Sequence, residues 1–148
     1  MSYAKAMQQY NAVATDAAVN YASPYRLIQM LFEAALGRIA AARGHLERGE
    51  IAAKGVAIGK AISIVAGLRK SLNHEAGGEI AANLERLYDY YERRLLEANT
   101  SNDPRLLDEV ARLLGEIKNA WDQIGHSAGA ASAAHAPQVE PLSARAPA

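Results

Sequence analysis

The sequence predicts an all-α protein: an antiparallel up-down four-helix bundle with a short helical or extended cap segment at its N-terminus and a disordered C-terminal tail. Three observations predict it. Half of the 148 residues are hydrophobic, mostly Ala, Leu and Ile, with a single Phe and a single Trp, an alphabet that favours helix over sheet. Four long stretches repeat their apolar residues at three and four positions, the period of a helix buried on one face. Stop signals at Gly49, Gly77-Gly78, Thr100-Ser101-Asn102 and Gly125 separate those stretches. Connections that short make successive helices antiparallel.

Residues 1–22 come first. Tyr3, Met7, Tyr10 and Val13 are spaced near one helical turn but stand among the weak helix formers Asn11, Thr15 and Asn20, so this is a short or conditional amphipathic segment rather than a fifth bundle helix. The bundle occupies 23–125. Its first helix opens with Ser23 as N-cap and Pro24 at the first helical position, where a missing N–H costs nothing, and runs to about Arg48 before Gly49. The second covers about Glu50 to Asn73. After the double glycine the third runs from about Glu79 to Asn99. Asp103 caps the fourth, Pro104 starts it, and it continues to about Ile124. Residues 126–148, HSAGAASAAHAPQVEPLSARAPA, are rich in Ala, Pro and Ser. They carry too little apolar surface to offset the entropy of ordering and are expected to be disordered.

Composition narrows the function. Sixteen basic and sixteen acidic residues balance, which provides no general attraction to nucleic acid or anionic lipid. No cysteine is present, so disulfide and thiolate chemistry are excluded. The most apolar run, IAAKGVAIGKAISIVAGL, holds Lys54 and Lys60 well inside it, unlike a membrane span. The N-terminus lacks the pattern of a signal peptide. A soluble, cytoplasmic protein is expected. His45, His74, His126 and His135 each lack a Glu three positions upstream, so the Glu-x-x-His pairs of metal-bearing bundles are missing. His74-Glu75 begins like a zincin motif, but Gly78 stands where the second His belongs. No enzyme, cofactor or metal is expected.

The helix faces suggest binding instead. In the first helix Leu27, Ile28, Leu31, Ala35 and Ala42 centre an apolar arc that Met30 widens on one side and Tyr25, Phe32, Leu36 and Ile39 on the other. The arc spans roughly 240°, where a helix facing one core needs about 100°. The second helix centres on Ile51, Ile58, Ile62 and Val65, with Ala57, Ile64 and Leu68 as a shoulder. Gly59, Ala66 and Gly67 flatten its back, which invites close approach of another backbone. The third carries Ile80, Leu84, Leu87, Tyr91, Leu95 and Ala98 on one face. Tyr91 is expected in the core and either Tyr88 or Tyr90 at an edge. In the fourth, Leu106, Val110, Leu113, Ile117, Trp121 and Ile124 form a core seam. Surplus apolar surface marks an interaction site. It could receive a partner, be covered by the N-terminal segment, or pair two chains.

Glu75-Ala76-Gly77-Gly78-Glu79-Ile80-Ala81, Asn83-Leu84, Leu87-Tyr88-Asp89-Tyr90, Arg94-Leu95 and Ala98-Asn99 closely resemble the signature of the flagellar secretion chaperones, the FliS family. Ala22-Ser23-Pro24, Leu27-Ile28 and Met30 to Leu36 are similar to that family's first helix, Ser71-Leu72 to the end of its second, and Leu113-Leu114, Ile117 and Ala120-Trp121 to its fourth. The likeness covers roughly residues 3–124. Phe32-Glu33-Ala34-Ala35 departs mildly from the Tyr-Asp-Gly-Ala common in the family.

The resemblance implies a cofactor-free four-helix bundle that binds the C-terminal segment of flagellin in the cytoplasm. It also implies that the chaperone prevents premature polymerisation and aids delivery to the flagellar type III export gate. The client, unstructured alone, becomes partly helical in apolar grooves. By helical phase the partner-binding candidates are Phe32, Leu36, Ala57, Ile64, Leu68 and Tyr88, and the resemblance makes Tyr3, Met7 and Tyr10 a displaceable lid. The alternative is a helical scaffold that uses the same face to form a homodimer and has no flagellin client.

Overall fold

The computed structural model describes residues 23–125 and 133–136. Four helices, α1 (Pro24–Glu47), α2 (Ile51–Lys70), α3 (His74–Ser101) and α4 (Pro104–Gln123), pack as a ring in which α1 touches α2 and α4, and α3 touches α2 and α4. The element order and the short connections give the up-down bundle that the sequence predicts.

Local chemistry fixes the ends. The Ser23 hydroxyl accepts from the Arg26 N–H at 3.1 Å, and the Asp103 carboxylate accepts from the Arg105 N–H at 2.9 Å. Gly49 reverses the chain between α1 and α2 at φ +74°, and Asn102 does so before α4 at φ 54°, both in the left-handed region that Gly and Asn tolerate best. The double glycine acts as a kink rather than a gap. Asn73 caps a first turn by accepting from the Ala76 N–H at 3.0 Å. Gly78 then departs from helical geometry at φ 53°, ψ −127°, and α3 continues beyond it.

The core runs through all four helices. Ile28, Leu31, Phe32, Ala35 and Ile39 of α1 meet Ile58, Ala61 and Val65 of α2, Tyr88, Tyr91 and Leu95 of α3, and Leu107, Val110 and Leu114 of α4. In α4 the buried seam is turned by about one residue from the expected one. Leu107 and Leu114 go inward, while Leu113 and Ile117 are half-buried on the flank toward α3. The paired leucines at 106–107 and 113–114 make both phases compatible with the periodicity, and packing selects one.

The helix α2 is long and apolar enough, by length and composition, to cross a membrane. Here it is a bundle helix, packed between α1 and α3. Lys54, read from sequence as an interruption of an apolar run, is only 3% exposed. Its ammonium donates to the Asn99 carbonyl at 2.8 Å and to the Asn99 side-chain oxygen at 2.7 Å. Gly59 is exposed, and a Cβ there would meet nothing within 4 Å, so the expected backbone approach does not occur at that position. It occurs at Gly77.

At the end of the bundle away from Lys54, Tyr25 stacks on Trp121 with centroids 5.1 Å apart. The Tyr25 hydroxyl donates to the Trp121 carbonyl at 2.9 Å, and the indole N–H donates to the Tyr25 carbonyl at 3.1 Å. This clasp ties the start of α1 to the end of α4.

Lys54→Ala is expected to leave the Asn99 acceptors without their charged donor and to lower unfolding free energy by about 1–3 kcal/mol. A urea titration should show a lower midpoint with an unchanged slope.

Candidate functional site

The antiparallel pairing of α3 and α4 is closed at one end and open at the other. At the closed end Glu109 of α4 accepts from the Tyr90 hydroxyl at 2.7 Å and pairs with Arg94 at 2.8 Å. These two donors hold the Glu109 carboxyl below the usual carboxylate range, the Tyr90 hydrogen bond contributing most. Arg93 and Arg94 both lie against the Tyr90 ring. Tyr90 is thus the edge aromatic that the sequence left open between two candidates, and Tyr88 is fully buried.

Beyond that ion pair the two helices line an apolar groove of about 350 Å³. Ile80, Leu84 and Leu87 form the α3 wall, and Leu113, Ile117 and Ala120 the α4 wall. Both sets step by three or four residues, so each wall is one stripe of its helix. Phe32, Tyr88, Tyr91 and Trp121 line it beneath, and Glu116 is the charged lining side chain. Ile80 is 37% and Leu87 40% exposed. They continue the stripe that buries Tyr91 and Leu95 further along α3, yet none of the described helices covers them.

The rings beneath are held by one another. Phe32 lies 6.5 Å from Tyr88, and Tyr88 lies 6.5 Å from Tyr91, edge to face. Burial pushes both phenols upward, Tyr91 to about 12, so neither ionises near neutral pH. The groove thus presents a mainly apolar surface that an apolar helix face can grip. Among the described residues no group of three or more His, Asp or Glu side chains could hold a metal.

Of the partner-binding residues expected from helical phase, the structure brings Phe32 and Tyr88 together in this groove. Leu36 packs half-buried against the core, and Ala57, Ile64 and Leu68 are buried in it, at most 5% exposed. Tyr3, Met7 and Tyr10 lie outside the described residues. The α3 and α4 walls escaped phase reasoning because their side chains fit a core seam as well as a groove, and periodicity does not distinguish an apolar stripe that is covered from one that is not.

The tail contributes one more element. Within the stretch expected to be disordered, Ala133–Ala136 form a short turn against the bundle, with Ala134 and His135 buried. His135 closes one side of the groove, its ring 5.4 Å from Trp121 and 5.9 Å from Tyr88.

The family model described as flagellar protein FliS matches residues 6–128. The chain belongs to the FliS family. The chain is 57% identical over 122 residues to flagellar secretion chaperone FliSB of Pseudomonas aeruginosa, a match covering 82% of this chain and 97% of that protein. It is 47% identical over 129 residues to flagellar secretion chaperone FliS of Salmonella typhimurium, covering 86% and 96%. With the Vibrio cholerae protein of the same name, identity is 42% over 118 residues, covering 80% and 87%. FliS is a family of chaperones and not of enzymes.

Phe32 serves core and groove at once, and the two roles can be separated. Phe32→Ala should cost about 3–5 kcal/mol of stability, whereas Leu87→Asp, at an exposed position, should stay within about 0.5 kcal/mol of wild type. Thermal unfolding followed by circular dichroism distinguishes them.

Proposed function

We propose that this chain is a cytoplasmic flagellar secretion chaperone that binds the C-terminal segment of flagellin, prevents its premature polymerisation and aids its delivery to the flagellar type III export gate. The observation that carries the reading is the apolar groove between α3 and α4, which none of the described helices covers, with Ile80 and Leu87 exposed above a fully buried Phe32 and Tyr88. A groove of this shape suits an amphipathic helix that lays its apolar face between two others. The relatives are named as flagellar secretion chaperones, which supports a flagellar client.

The mechanism is shielding. A flagellin segment that must pack its own apolar face during assembly places that face in the groove instead. Fully burying a large apolar side chain is worth about 1.5–3 kcal/mol, so a few anchors suffice once ordering costs are met. Because the client folds as it binds, part of the interaction free energy is lost to ordering. No nucleotide is needed: exchange of one apolar cover for another drives capture and release. Phe32 and Tyr88 act here as the base of the groove, and Tyr3, Met7 and Tyr10 as a displaceable cover. Leu36, Ala57, Ile64 and Leu68 hold the α1–α2 side of the bundle that supports it.

Calorimetric titration with the C-terminal ~50 residues of the host's flagellin should give a one-to-one complex with a negative heat-capacity change and a gain in helix. Leu87→Asp should weaken that complex at least tenfold while the fold is retained. Full affinity in Leu87→Asp places the client elsewhere, and no binding by the folded wild type removes flagellin as the client.

Removing residues 1–15 is expected to leave the helicity of the bundle unchanged and to alter client affinity. Loss of helicity would instead make that segment part of the core.

A further inference from the structure

One end of the groove, beside the α2–α3 turn, is built unlike the rest. Backbone and polar groups join the aromatic rings in its walls there. A Cβ on Gly77 would lie 2.5 Å from the Cα of Ala134, so the tail backbone rests where any other residue would place a side chain. The Asn73 N–H donates to the Ala134 carbonyl at 2.7 Å. His135 then spans two hydroxyls: Nδ1 lies 2.8 Å from Ser71 Oγ and Nε2 lies 3.0 Å from Tyr88 Oη. Ser71 Oγ donates its proton to the Leu68 carbonyl at 2.8 Å. That direction assigns the imidazole proton to Nδ1 and leaves Nε2 to accept from Tyr88, a neutral tautomer with both ring nitrogens satisfied. The Phe32 and Trp121 rings meet the imidazole edge to face.

We propose that this end of the groove is a peptide subsite for a small residue followed by a neutral side chain that both donates and accepts a hydrogen bond, and that Ala134–His135 is its internal ligand, released when a partner segment fills the groove. The composition of the tail argues for reversibility. Around these two buried residues it offers Ala, Ser and Gly, which add little apolar area to offset ordering. The subsite assignment stands on geometry alone; its release by a client rests on the flagellin reading above.

Protonation gives the docked state a signature. The groups around the imidazole are Ser71 from α2, Tyr88 and Tyr91 from α3, and Glu116 and Trp121 from α4, while α1 presents Phe32. Glu116 is exposed and within 3.5 Å of Arg112. Burial holds the His135 imidazole down at about 3, from an ordinary value of 6.5. The docked pKa is the depressed one, so docking is at full strength above pH 6.5. It weakens about tenfold per pH unit below that, until the docked ring itself protonates.

The test uses the full chain, wild type, His135→Asp and Ala134→Trp, each first checked for native helicity. In wild type the His135 ring resonances should not titrate near pH 6.5, whereas in Ala134→Trp they should. Binding of the apolar dye anilinonaphthalene sulfonate at pH 7.5 should rise several-fold in both variants, and in wild type it should rise as pH falls from 7 to 5. A wild-type His135 that titrates near 6.5, or equal dye binding by all three proteins, overturns the internal ligand. The flagellin peptide should bind both variants at least threefold more tightly than wild type. Equal affinities overturn release by the client. A peptide that binds none of the three sinks the flagellin reading and overturns release by that client, while titration and dye still decide the subsite.

Discussion

The contact between Phe32 and Tyr88 organises the rest of the molecule. α1 and α3 sit across the ring of helices from one another, and these two fully buried side chains bridge them, ring to ring. Tyr91 stacks its edge against Tyr88 one turn along. Interhelical distance follows the size of the side chains at the contact. Three large rings at one level keep α3 and α4 apart above them, and the groove is the space that results. The same bulk that fills the core therefore creates the surface that the core cannot cover. Smaller side chains there would let α3 and α4 approach and bury Ile80 and Leu87.

Charge keeps that opening in register without entering it. Arg69 of α2 pairs with Glu92 of α3 at 2.7 Å, Arg43 of α1 with Asp108 of α4 at 3.0 Å, and Arg94 of α3 with Glu109 of α4. Each joins neighbours in the ring. Exposed pairs of this kind add little stability singly, but they oppose sliding of one antiparallel helix along another. The balanced composition of the sequence is thus consumed largely on the outside, and the groove retains Glu116 as its charged lining residue.

The helices were legible because their signals are local. Ser23-Pro24, Gly49, Asp103-Pro104 and the 3.6-residue period act within a few positions, and the caps are found where those residues stand. The groove was legible only in part. Helical phase points to Phe32 and Tyr88, but it also makes the surplus width of the α1 arc available to a partner, whereas Met30, Phe32 and Ile39 on its flanks are buried. The walls on α3 and α4 were read as core when one flank is open. Helical phase gives the direction of a side chain and not what stands opposite, which is a property of four helices at once. The Gly77-Gly78 pair shows the same limit. Gly78 announces a kink by its residue type, whereas the purpose of Gly77 depends on Ala134, far away in sequence. Tail composition likewise hides His135, because one satisfied imidazole among small residues leaves no periodic trace.

A tethered ligand need not bind well to matter. A segment tethered to its own site experiences an effective concentration in the millimolar range, so an intrinsic dissociation constant about tenfold below that keeps the subsite about nine-tenths filled. Occupancy of this kind divides the apparent affinity of any competitor by the reciprocal of the free fraction. For a chaperone that must give up its client, that term is useful. The tail returns to Ser71 and Tyr88 as the client leaves, covering apolar surface that would otherwise attract another chain. Ala134 and His135 are well chosen for such a role: they are too small a ligand to exclude a helical client, yet their hydrogen bonds satisfy the polar end of the groove whenever it stands empty.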